Sequence, residues 1–128
     1  MKKLVLPFIL CFFSYAAQGE AVTSLTKDLD GKAITYVYSG GRSYQIKFAE
    51  AGMSYRYLSG SKPEKWWGQF PYKALLTDQG EYFVAWYEEG YGDYITLLIN
   101  FKTNILYGSG ILGDKSLHFE KAKIKKVE

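Results

Sequence analysis

The chain has 128 residues, 16 lysines and arginines against 13 acids, and one histidine. Its single cysteine, Cys11, lies in an apolar opening segment, so the rest of the chain has no thiol for disulfides, thiol catalysis or zinc–thiolate sites. The net charge of +3 falls to about +1 once Lys2 and Lys3 are set aside, too little to imply nucleic acid or an acidic membrane surface as a partner.

The first elements in chain order are those of an export signal. Lys2 and Lys3 precede an apolar run from Leu4 to Tyr15, and small residues follow at Ala16, Ala17, Gly19 and Ala21. The run fits a signal-peptide core of about 7–15 residues and is shorter than the roughly 20 residues of a spanning helix. We therefore expect a signal peptide over 1–19, cleavage after Gly19, no stable membrane insertion after cleavage, and a periplasmic or secreted product. Leu10 before Cys11 argues against lipid attachment there. The remaining 20–128 should form a single domain.

Beyond residue 31 the pattern is one of short strands. Lys32–Ser39 alternates, with Ile34, Tyr36 and Tyr38 on one face, and Gly40-Gly41 makes a hairpin turn. Arg42–Ala49 and Met53–Leu58 follow, the second broken by Ser59-Gly60-Ser61. Lys65–Phe70 carries Trp66-Trp67, Pro71 interrupts, and Tyr72–Thr77 resumes. After Asp78-Gln79-Gly80, Tyr82–Glu88 alternates strictly, with Tyr82, Val84, Trp86 and Glu88 on one face. Tyr94–Phe101 reads as a buried strand. Ile105–Tyr107 is expected to end where Gly108 and Gly110 flex the chain. Leu117–Val127 closes the set, its lysines guarding an exposed edge or end. A short helix in Asp28–Gly31 or Glu64–Gly68 stays open. The fold class expected is all-β, an antiparallel up-and-down β-barrel of about eight to nine strands.

Glu88 is the leading functional candidate, because a carboxylate in line with a tryptophan inside a barrel is costly unless something pairs with it. Tyr36 and Tyr38 could jointly grip a carboxylate in the same lumen. Arg42, Arg56 and Lys65 are the candidate balancing cations. Trp66 and Trp86 complete the expected ligand-binding set with Tyr36, Tyr38 and Glu88. His118 reads as an ordinary strand residue, and the acids of Asp28–Asp30 as turn residues. No metal site and no cofactor are expected.

Two segments, Gly31-Lys32-Ala33-Ile34-Thr35-Tyr36-Val37-Tyr38 and Gly41-Arg42-Ser43-Tyr44-Gln45-Ile46, resemble the opening hairpin of bacterial phenolic acid decarboxylases. Tyr55–Gly60 is similar to their third strand, and Tyr82–Glu88, with Asp93 and Leu97 beyond, to their strand ending in Ser-Trp-Thr-Glu. The MoaF-like family shares the pattern, and both groups are calycin-type, lipocalin-like barrels. The resemblance implies that Tyr36 and Tyr38 match the substrate-holding tyrosines and Glu88 the site glutamate. The family's arginine falls at Lys65, which keeps the charge without the planar fork. Glu89-Gly90-Tyr91-Gly92 replaces Pro-Thr-Gly-Thr, and the shorter C-terminal part fits a minimal MoaF-like domain better.

The reading favoured is an exported small-molecule-binding barrel whose ligand is a small aromatic or carboxylated compound. The alternatives are a cofactor-independent lyase acting through Glu88, Tyr36, Tyr38 and Lys65, and a non-catalytic interaction or structural barrel. A homodimer is left open.

Overall fold

The computed structural model describes residues 25–60 and 62–128. The expected signal segment, its cleavage site and Cys11 lie outside them. Nine strands follow in order: β1 (Ala33–Tyr38), β2 (Ser43–Ala49), β3 (Gly52–Tyr57), β4 (Trp66–Phe70), β5 (Tyr72–Leu76), β6 (Tyr82–Glu88), β7 (Asp93–Asn100), β8 (Ile105–Ile111) and β9 (Leu117–Val127). All described pairings are antiparallel, in the order β4-β3-β2-β1-β9-β8-β7-β6-β5. The expected all-β, up-and-down architecture is the one observed, a nearly closed calycin-like barrel. No helix occurs among the described residues, so neither segment left open for one forms it.

Pro71 explains how nine strands make an eight-legged tube. β4 is antiparallel to β3 and β5 is antiparallel to β6. Strands β3 and β6 both run toward the Tyr55–Glu88 end, so β4 and β5 run the same way and form one leg. Proline cannot donate to a ladder. It sits where this leg exchanges one partner for the other.

Three expectations are corrected. β8 does not stop at Tyr107 but runs through Gly108 and Gly110 to Ile111. A Cβ on Gly110 would lie 2.8 Å from Ile95 Cδ1, and one on Gly108 would lie 3.1 Å from Leu97 Cδ2. These inward glycines make room for side chains of β7 rather than bending the strand. β9 is no edge either, since it pairs with β8 on one side and β1 on the other and so closes the sheet. Its lysines 121, 123 and 125 simply face outward. Finally, β7 is buried on one face only: Leu97 and Ile99 point inward while Tyr94 is exposed.

The closed end holds the apolar core. Ile34, Ile46, Phe48, Met53, Val84, Ile99 and Leu106 are buried there by the alternation of their strands. Leu29, in the turn before β1, is fully buried against them and plugs this end. The flanking acids hold the plug: the Tyr72 hydroxyl donates to Asp30, and the Tyr82 hydroxyl donates to Asp28 Oδ2 at 3.0 Å. Leu29→Ala should therefore lower stability by about 2–5 kcal/mol through lost contacts and the cavity left behind. Tyr72→Phe should cost about 1 kcal/mol. Urea unfolding followed by tryptophan fluorescence measures both, and a neutral Leu29→Ala would contradict the plug.

Candidate functional site

The other half of the tube is lined by rings. Tyr36 and Tyr38 project inward from β1, Tyr44 from β2, Tyr55 and Tyr57 from β3, and Trp86 with Glu88 from β6. Register brings them together: Tyr44 lies opposite both Tyr36 and Tyr57, and Ile46 opposite Tyr55. The Tyr36 ring meets Tyr38 edge-on at 5.3 Å and stacks on Tyr44 at 5.7 Å. Around these side chains lies a cavity of about 260 Å3. It exists partly because β8 contributes Gly108 and Gly110 to its wall where other strands contribute bulk.

Glu88 is 3 % exposed and is the buried charged side chain among the described residues. Tyr55 donates its hydroxyl to Glu88 Oε1 at 2.8 Å, and Trp86 donates Nε1–H to Oε2 at 3.0 Å. Both carboxylate oxygens thus have neutral donors. Burial raises the Glu88 pKa above its ordinary value, the Trp86 and Tyr55 hydrogen bonds pull it back, and Asp93 adds a smaller upward push. Burial also raises the phenols: Tyr38 is pushed up to about 12, and Tyr36 and Tyr55 are raised as well, Tyr55 additionally by Glu88. The lumen tyrosines are therefore neutral donors at physiological pH.

The rim carries Arg42, Asp93, His118 and Glu120. Arg42 is ion-paired with Glu120, Asp93 accepts from Gly113 N–H at 2.8 Å, and His118 Nε2 shares a hydrogen bond with Ser116 Oγ at 2.9 Å. A second hollow, of about 430 Å3, shares Arg42, Tyr44 and Tyr57 with it and adds Lys62 and Trp67. Trp67 Nε1–H is buried there without a hydrogen-bond partner among the described residues. Nor do the described residues include a group of three or more His, Cys, Asp or Glu side chains placed to hold a metal ion.

Four of the expected site residues, Tyr36, Tyr38, Trp86 and Glu88, thus share one cavity. Trp66 and Lys65 do not line it. Consecutive strand residues face opposite ways, and register puts Trp66 opposite outward Arg56 and Trp67 opposite inward Tyr55. Trp66 lies outside under Lys47 Nζ (3.8 Å) and Arg56 (5.0 Å), while Lys65 Nζ lies 3.8 Å from the Trp67 ring centre. Of the three candidate cations only Arg42 reaches the lumen. Tyr44, Tyr55 and Tyr57 were not singled out from sequence, although their alternation with Ile46 and Met53 carried the signal.

The Glu88 environment predicts a pH signature. A carboxyl whose folded pKa is raised binds its proton more tightly when folded. Its stabilising contribution is full below the ordinary value near 4.5 and is lost as pH rises through the raised folded value. Glu88→Gln cannot titrate, and its amide can accept from Trp86 and donate to the Tyr55 oxygen. The stability of the natural protein relative to Glu88→Gln should therefore decline from acid toward neutral pH in paired denaturant titrations. A difference that instead grows in favour of Glu88 with rising pH would contradict a desolvated carboxyl.

By sequence, no curated protein matches the chain. Among solved structures it is similar to a crystal structure from Burkholderia vietnamiensis, provisionally described as a beta-lactamase. The TM-score is 0.65 at 17% identity, covering 76% of this chain and 93% of that one. Identity at that level speaks for the fold alone. The family model of the MoaF N-terminal domain matches residues 15–110, from before β1 to Gly110 within β8. Its span takes in every aromatic ring of the lumen and the Glu88 carboxylate, and the chain belongs to the MoaF N-terminal domain family.

Proposed function

We propose that the protein is an exported binding module that holds one small aromatic molecule in its barrel lumen. The observation that carries this reading is the hollow of about 260 Å3 bounded by hydroxyl-bearing rings and one buried carboxylate. A lumen that served only architecture would be filled by those rings. At ~30 Å3 per water, this one has room for roughly eight or nine waters. It lies just under the ~300–1,000 Å3 of drug-sized pockets, which suits a guest of about one ring. Flat guests gain from stacking on tyrosine and tryptophan faces, and the hydroxyls give them orientation.

A carboxylated guest, and with it the lyase reading, has less support. Both need a cation beside Tyr36 and Tyr38. Lys65 lies elsewhere, and Arg42 is committed to Glu120. Native mass spectrometry of the exported protein should reveal a bound small molecule that is lost on acid unfolding. Gly108→Leu, which grows a side chain into the lumen, should abolish that adduct. An adduct that persists in Gly108→Leu would place the ligand elsewhere. Formation of a vinylphenol from a 4-hydroxycinnamate, abolished in Glu88→Gln, would restore the lyase.

A second reading, self-association, rests on the outer face of β6–β9. Tyr87, Tyr94, Ile111 and Leu117 form one continuous cross-strand row. All four are exposed, as are neighbouring Phe83, Tyr107 and Phe119, the last 77 % exposed. At 150–250 Å2 per aromatic side chain, these exposures leave on the order of 700 Å2 of apolar surface, close to the ~800 Å2 each partner contributes to a standard interface. We propose a second copy of the chain as the occupant. Sedimentation equilibrium should give a dimer that Phe119→Lys dissociates, and a monomer at tens of micromolar would remove this reading.

A further inference from the structure

We infer that the guest of the lumen is an organic cation, an arylalkyl ammonium compound whose nitrogen rests against Glu88 and whose ring packs among the tyrosines. This narrows the binding-module reading and rests on it.

The first support is a charge inventory. Three carboxylates reach the cavity, Glu88, Asp93 and Glu120, against one guanidinium, Arg42. Glu120 has taken Arg42. Neither Glu88 nor Asp93 has an ion-pair partner among the described residues. Glu88 is held only by neutral donors, Tyr55 and Trp86, and Asp93 accepts from a backbone N–H. Neutral donors satisfy lone pairs but leave the charge uncompensated, and a buried charge without a counter-charge is costly. A cationic guest supplies the missing charge. An anionic one meets two unneutralised carboxylates.

The second support is the aromatic box. Tyr36, Tyr38 and Tyr44 pack on one another along β1 and β2, while Tyr55 and Tyr57 from β3 and Trp86 from β6 line the same hollow, so rings from four strands bound it. Aromatic faces attract cations, more strongly when water is excluded. The protein already places cations over both tryptophans of β4, with Lys47 over outward Trp66 and Lys65 over Trp67. Among the described residues that line the cavity, the cation near a ring is Arg42, 6.0 Å from the Tyr38 centre at the rim. Lys62 reaches only the second hollow.

Three probes with one skeleton test the inference by calorimetry at pH 7: phenethylammonium, 2-phenylethanol and phenylacetate. Phenethylammonium should bind at least tenfold more tightly than the alcohol, and phenylacetate more weakly than either. Glu88→Gln should erase the lead of the ammonium compound. Equal or tighter binding of the alcohol or the acid would overturn the cation while leaving a lumen ligand in place. Binding by none of the three, with no shift of the melting temperature, would overturn the cation and the binding module together. A folded Glu88→Gln protein that keeps the full lead would also overturn the inference, and the comparison in the natural protein stands whether or not that variant folds.

Discussion

One carboxylate organises the open half of this barrel. Glu88 stands at the end of β6, where alternation turns it inward, and the described residues give it two donors and no cation. A charge so placed costs free energy, and the hydrogen bonds from Tyr55 and Trp86 offset only part of it. They also fix those two side chains. The tyrosine hydroxyl cannot turn away without stranding the acid, and the indole is tied to the residue two positions on. The positions of these two rings in the cavity wall follow from this arrangement.

The remainder of the fold serves to keep that half hollow. The apolar core lies at the closed end, where Leu29 packs with the aliphatic residues of the strands. Tyr72 and Tyr82 tie their hydroxyls to the turn acids, so the plug has polar as well as apolar anchors. At the open end the inward positions of β8 are glycines. Filling them would bring the wall into Leu97 and Ile95, so the missing side chains are a condition of packing as well as a source of space. The acidic lumen with its neutral phenols is the chemical result.

Much of this was legible in the sequence, because glycine and aspartate turns punctuate clear alternation. The face of β6 that joins Trp86 to Glu88 could be read directly, and so could the paired direction of Tyr36 and Tyr38. What could not be read depends on contacts between strands. Gly108 and Gly110 look like breakers until Leu97 and Ile95 are opposite them. The lysines of β9 look like edge protection until β1 is found beside it. Trp66 and Trp67 are adjacent, so one must face out, and only the β3–β4 register decides which. Tyr55 escaped notice for a different reason. In a chain with twelve tyrosines, no local feature separates the one that holds an acid from those that merely pack.

Glu88 is a desolvated acid facing a hollow and held by neutral groups. The most direct measurement is a carbon-detected NMR titration of the Glu88 side-chain carboxyl in the intact protein. Burial should put the midpoint above the ordinary 4.5, and a midpoint at or below that value would mean that the carboxyl is not desolvated.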